Sequence, residues 1–217
     1  MIASSTATAG GNFYAENLYC ETDVLRGVTR TRTGVRLVTL TTDFLVGFRR
    51  AILDECGPAS DTVFASCGRK WGGFLARRFD AETSTFHGRS LREMSLAKVQ
   101  ACLADLFSHH GWGNVRLDLS RHEQGLIAVT ADEPIFASLS GASDKPVDSL
   151  LAGIFAGFFS ALFAQDLDCV QTSCKACGDP VSRFLIGLTQ RLSAARAWVD
   201  AGKNHEQVVA ELASVRV

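Results

Sequence analysis

The chain has 217 residues, 47% of them hydrophobic and 21% charged, with 22 Lys and Arg against 23 Asp and Glu for a net charge of -1. This is the composition of one well-buried domain with appendages, or two small domains at most. It excludes a disordered chain and any global basic field for nucleic acid. Seven cysteines, an odd number, fit reduced thiols or metal ligands in the cytoplasm better than a disulfide framework.

Residues 1–14, MIASSTATAGGNFY, have neither a basic start nor an apolar stretch, and read as a small-residue tail rather than a secretory signal. Residues 24–40 are rich in Val, Thr and Leu and predict one or two strands around Gly34. Arg30, Arg32 and Arg36 share parity there, so an extended chain presents them on one face, either as a grip on a carboxylate ligand or as a solvated row. Thr42 or Asp43 can cap a first helix carrying Phe44, Phe48 and Ile52 and stopping at Gly57. Pro58 opens a second helix with the stripe Phe64, Cys67, Trp71, Phe74 and Leu75. Residues 80–90 read as polar and irregular. Ser95 then caps a third helix with Leu96, Val99, Leu103, Leu106 and His110 in step and Gly111 as its stop.

Val115, Leu117 and Leu119 alternate with Arg116, Asp118 and Ser120, and RHEQG leads into LIAVT, which together predict an antiparallel hairpin. Residues 138–145 read as a loop. The following helix, LLAGIFAGFFSALFA from Leu150 to Ala164, is too short to span a membrane and is bracketed by Asp148 and Asp166, so it reads as a core helix. Ser149, Gly153, Gly157 and Ala161 recur every fourth residue and make one face small, which lets a helix, a strand or a flat ligand approach closely. Strands at about 167–175 and 181–188 follow, and the chain closes with two amphipathic helices, the second opening with the capping pattern Asn204-x-x-Gln207. His109, His110 and His122 have no nucleophile or paired carboxylate beside them, and no catalytic residue is assigned.

The stretch CVQTSCKACGDPVSRFLIG places Cys169, Cys174 and Cys177 at C-x4-C-x2-C spacing. That spacing matches three ligands of an iron–sulfur cluster, with Cys20, Cys56, Cys67 or Cys102 available as a fourth; zinc held by Cys174 and Cys177, or thiols that simply pack, are the alternatives. Cys169 and Cys174 have opposite parity, so a shared site requires a bulge.

The Gly-x3-Gly helix, the strand, the Cys-x3-Gly-Asp-Pro turn and the Arg-Phe at Arg183 and Phe184 follow one another in an order that resembles the 4-vinyl-reductase sensor domain family. The resemblance covers about 40 residues. It implies an α+β fold, a twisted antiparallel sheet packed by helices, shared with nitric-oxide-signalling domains and Golgi-transport TRAPP subunits. It also implies a homodimer with an apolar pocket for tetrapyrrole or aromatic ligands. The family's zinc positions fall on Asp148, Gln171, Cys174 and Ser182, so only Cys174 remains a cysteine.

The resulting division is an N-terminal extension over 1–40, the ligand-binding domain over 41–188 and C-terminal helices over 189–217. The expected function is binding of a hydrophobic small molecule in a sensor or carrier, with a tetrapyrrole among the ligands that the resemblance implies. Pocket residues Trp71, Phe74, Gly153, Phe155, Gly157 and Phe158 are expected, with the three arginines on a ligand carboxylate and zinc or an iron–sulfur cluster on Cys169, Cys174, Cys177 and Asp148. Alternatives are a reductase or accessory enzyme of tetrapyrrole metabolism, against which no G-x-G-x-x-G follows a strand, and a dimeric assembly subunit without ligand. No DNA-binding or ATPase segment is expected beside the domain.

Overall fold

The computed structural model describes residues 13–15 and 19–214; most of the small-residue tail lies outside them. A small antiparallel sheet comes first, with β1 (Cys20–Asp23), β2 (Val28–Thr31) and β3 (Arg36–Leu37) in that order. Helices α1 (Thr42–Cys56), α2 (Ser60–His87) and α3 (Leu96–His109) follow. A hairpin of β4 (Asn114–Asp118) and β5 (Leu126–Asp132) comes next, then the short α4 (Ile135–Leu139) and the apolar α5 (Ser149–Phe163). Strands β6 (Leu167–Ser173) and β7 (Ser182–Leu188) complete a four-stranded antiparallel sheet of order β4-β5-β7-β6. Helices α6 (Thr189–Leu192), α7 (Ala195–Asp200) and α8 (His205–Ser214) end the described chain. This is the expected α+β arrangement.

Period-two alternation gives the sheet two apolar faces. Val115, Val129, Ala131, Cys169, Phe184 and Ile186 turn toward α5 and join the main core with α2 and α3. Leu126, Val170 and Leu185 turn the other way, onto Leu192, Ala195, Val208, Val209 and Leu212 of the last three helices. The sheet is therefore sandwiched, and α5, buried along most of its length, is the central layer.

The small face of α5 is taken by a helix. Gly153 and Gly157 lie against the backbone of Ala65 and Arg69, while Gly68 and Gly72 lie against the backbone around Leu150 and Ile154. The partners advance together along both chains, so α2 and α5 run parallel through a seam of four glycines at which only hydrogen fits between backbones.

This seam changes the expected register of α2. Its buried stripe is Phe64, Gly68, Gly72, Leu75 and Phe79, with Cys67 and Phe74 exposed. The helix also runs through residues 80–87, where the polar composition predicts irregular chain. Glu82 and Thr83 are buried there, and Gly88, at φ 64, closes it. At the C-terminus the expected two helices are three. Asn204 and Gln207 cap the last reciprocally, each backbone N–H donating to the other's side-chain oxygen at 3.0 Å.

Turn chemistry accounts for the remaining boundaries. The Ser95 hydroxyl accepts from the Lys98 N–H at 3.3 Å and starts α3. Between β6 and β7, residues 174–178 form a tight turn that ends on Gly178 at φ 91, a left-handed value suited to glycine.

Candidate ligand cavity

An apolar cavity of about 610 Å³ opens beside the end of α5. Its floor is the sheet, through Leu117 and Ile127; its walls are Leu103 and Val99 of α3, Phe158, Phe159 and Leu162 of α5, and Phe79 of α2. The segment 90–94 forms the remaining side with Leu91 and Met94. That segment is held by a reciprocal cap between Ser90 and Glu93. The polar side chains on the lining are Asp80, Ser90 and Arg92, all exposed and so confined to the mouth. Asp80 accepts from the Ser84 hydroxyl at 3.1 Å.

Of the residues expected to line a pocket, Phe158 does so. Phe155 is enclosed between Phe107 and Phe184, with ring centroids 5.3 and 5.2 Å away. Gly153 and Gly157 belong to the helix seam. Trp71 packs on Trp112 at 5.3 Å, and Phe74 is 66% exposed beneath the Arg77 guanidinium.

The three arginines lie away from the cavity, around the small N-terminal sheet. Arg30 stands opposite Arg36 in the β2–β3 ladder and donates to the Gly34 carbonyl at 3.0 Å, while Arg32 lies 5.9 Å from the Phe13 ring. The guanidinium at the cavity is Arg92. Sequence reading missed it, together with Leu117, Ile127 and Leu162. The odd-position alternation of Leu117 with Val115 was the available signal for the first of these apolar residues.

The C-x4-C-x2-C cysteines do not converge on one metal. The ladder shifts register between Gln171 and Ser173, but the shift does not bring Cys174 to Cys169: Cys174 packs with Ala137 and Val147 where α5 begins. Cys169 remains in the main core, where burial pushes its thiol well above the usual range. Cys177 is exposed on the turn.

At the positions where the resemblance implies zinc, the polar groups satisfy one another. The Gln171 amide donates to Asp148 Oδ2 at 3.0 Å, and the Asp148 N–H donates back to Gln171 Oε1 at 3.0 Å. Asp148 Oδ1 accepts from the Ala137 N–H at 3.1 Å. Ser182 Oγ accepts from the Lys175 N–H at 3.2 Å. Burial raises the Asp148 carboxyl above the ordinary carboxylate range, and its hydrogen bonds from Gln171 and Ala137 pull it back only in part. These residues do not fit a zinc or iron–sulfur centre. Among the described residues no group of three or more His, Cys, Asp or Glu is placed to hold a metal ion.

A second buried polar set fastens the N-terminal segment to α2. Tyr14 donates to Glu82 at 2.8 Å and stacks on Phe79, and Thr33 donates to the other Glu82 oxygen at 2.5 Å. Arg78 ion-pairs with Glu82 at 3.8 Å and donates to His110 Nε2 at 3.1 Å. His110 Nδ1 donates to the Leu106 carbonyl at 2.8 Å, so both ring nitrogens are used by the neutral tautomer. Burial lowers its pKa.

The 4-vinyl-reductase domain family, abbreviated V-4-R, matches residues 127–188. The phenol-responsive sensory domain of the transcription activator PoxR, solved with phenol, superposes with a TM-score of 0.66 at 18% identity, over 84% of this chain and 90% of that one. At that identity the likeness is one of fold. A vinyl-4-reductase family protein from Methanocaldococcus jannaschii has a TM-score of 0.48 at 14% identity, covering 69% of this chain and 82% of that one. A trafficking protein particle complex subunit 3 from Naegleria fowleri, covalently bound to palmitic acid, has a TM-score of 0.49 at 16% identity, over 68% and 94%. No curated protein matches the chain. No helix of the described residues is long and apolar enough to cross a membrane. The span matched by the V-4-R domain family, residues 127–188, runs from β5 through α5 to the end of β7.

Proposed function

We propose that this chain is a small-molecule-binding module, a sensor or carrier, whose ligand enters the cavity between α3, the end of α5 and the sheet. The observation that carries this reading is the cavity itself, about 610 Å³ with an apolar interior and its polar groups at the mouth. That volume falls within the roughly 300–1,000 Å³ of small-molecule sites. The V-4-R match and the phenol-bound PoxR domain of the same fold support the class of function.

A single phenol ring would fill a small part of this space, and among the described residues the interior holds no polar side chain to satisfy a buried hydroxyl. A larger hydrophobic ligand with an acidic group, such as a carboxylated tetrapyrrole, suits both the volume and Arg92, a guanidinium that can fork onto a carboxylate. Binding is favoured over catalysis because the titratable groups on the lining are Asp80 and Arg92, neither of them inside the cavity. Titration of the purified chain with protoporphyrin, read by fluorescence, tests the reading. Leu117→Trp, which fills the floor, abolishes binding, and Arg92→Gln weakens it about tenfold, roughly 1.4 kcal/mol. Absence of binding by the unaltered chain to protoporphyrin and to phenol alike refutes the assignment, and undiminished binding by Leu117→Trp refutes the location.

A second copy of the chain is the proposed cover for α1, giving the expected homodimer. This helix buries none of its residues and exposes Phe44 at 53%, Phe48 at 46% and Leu53 at 50%, with Phe44 and Phe48 stacked at 6.2 Å. Sedimentation gives a dimer that Phe48→Asp converts to monomer; a monomeric unaltered chain refutes it.

A further inference from the structure

We propose that Cys174 and Cys177 form a reversible intramolecular disulfide across the turn joining β6 to β7. The proposal is independent of the cavity. Its basis is backbone geometry. The Cys177 N–H donates to the Cys174 carbonyl at 2.9 Å, and the same carbonyl accepts from the Asp179 N–H at 3.2 Å. The Cys174 N–H in turn donates to Asp179 Oδ2 at 2.7 Å. A four-residue turn closed in this way holds its first and last Cα atoms within about 7 Å. A disulfide spans about 4.4–6.8 Å between Cα atoms, so the bond can form with the turn intact. Burial, and after it the neighbouring Cys174 thiol, pushes the Cys177 thiol up to about 11, as two thiols placed side by side require.

Exposure differs across the pair in the sense that exchange requires. Cys177 is exposed and Cys174 is fully buried, so an external reagent meets Cys177 while Cys174 is held beside it to resolve the product. The other buried thiols differ in setting. Cys102 lies in the main core against His87, and Cys169 lies in the same core beneath α5.

The oxidant is a low-molecular-weight disulfide. The Cys177 sulfur, giving up its proton to solvent, attacks one sulfur of the reagent; its S–S bond breaks and one reagent thiolate leaves and is protonated. Cys174 then attacks Cys177 Sγ in the mixed disulfide, gives up its own proton and displaces the second reagent thiol. One S–S bond has formed in the protein and one has broken in the reagent, and the protein's two electrons and two protons reside on two reagent thiols.

The turn is wired to the segment leading into α5. Lys175 ion-pairs with Glu133, the Ala176 carbonyl accepts from the Ser143 N–H at 2.8 Å, and Cys174 packs with Ala137 and Val147. Drawing the Cys174 sulfur toward Cys177 therefore alters the packing just before Asp148.

The test is equilibration of the full chain in oxidised and reduced glutathione, followed by thiol counting and peptide mapping by mass spectrometry. The unaltered chain is expected to lose two hydrogens in the peptide holding Cys174 and Cys177, reversibly on adding dithiothreitol. Cys174→Ser is expected to stop at a glutathione adduct on Cys177. The proposal is overturned if the unaltered chain accumulates that same adduct without resolving it, or keeps both thiols in fully oxidised glutathione; neither reading depends on how the variant folds.

Discussion

Replacing Gly157 by Ala tests the helix seam directly. A Cβ at Gly157 lies 1.9 Å from the Arg69 carbonyl oxygen and 2.7 Å from its carbon, against the 3.0 Å below which real Cβ contacts essentially do not occur. The obstacle is backbone, with no flexible side-chain end to swing away, so α2 and α5 must separate by about 1 Å or more over a close-packed stretch. Over-packing of a core costs about 1–3 kcal/mol, occasionally more, and the backbone contact puts this case near 3 kcal/mol. For a chain of this length the shift in melting temperature is then on the order of 6–12 °C. Gly73, one residue past the seam, is the control. A Cβ there meets nothing nearer than 3.9 Å. Gly73→Ala should be neutral or stabilise by up to about 1 kcal/mol through helix propensity. Thermal melts followed by circular dichroism separate the two variants. If Gly157→Ala melts with the unaltered chain, or together with Gly73→Ala, the backbone-to-backbone seam is wrong.

Two further expectations concern the buried polar sets. Asp148→Ala strips partners from the Gln171 amide and the Ala137 N–H, and should cost about 2–5 kcal/mol in urea unfolding; a loss under about 1 kcal/mol refutes the clasp. The neutral His110 ring is favoured in the folded state, so the unfolded chain takes up its proton first on acidification. Its contribution is complete above about pH 6.5 and is lost as pH falls through that value toward the lower folded pKa. His110→Gln keeps a donor and an acceptor but no titrating ring, so its urea midpoint should fall less steeply between about pH 7.5 and 5.5; equal slopes refute the argument.

Much of the sheet was legible in the residues because alternation is a local signal: Val115 to Leu119, LIAVT and the strands flanking CGDP all fell where expected. The seam was half legible. Ser149, Gly153, Gly157 and Ala161 announced a close neighbour, but its identity is a tertiary fact, and Gly68 and Gly72 have their reason only in α5. Assigning α2 an apolar stripe through Cys67 and Phe74 followed from ranking side chains by hydrophobicity, which gives a buried glycine no weight. The cavity escaped for a related reason. Its lining draws on α2, the 90–94 segment, α3, β4, β5 and α5, and the stripe assigned to α2 ended at Leu75, which left Phe79 out. At the hairpin cysteines, parity called for a bulge to bring Cys169 and Cys174 together; the register shifts there without doing so, and the hydrogen-bonded partnership of Asp148 with Gln171 left no local trace.

At the seam α2 and α5 meet backbone to backbone, with no side chain between them whose rotamer could shift to let them slide, and beyond it Phe79 meets Phe158 edge to face at 5.5 Å. Phe79 on one helix and Phe158, Phe159 and Leu162 on the other should therefore behave as a single stiff wall. Any swelling or tightening of the cavity around a guest must come from the opposite side, where Leu91 and Met94 sit on a short capped segment and Val99 and Leu103 on α3. The molecule has in effect a fixed jaw and a moving jaw, and the moving one also carries Arg92.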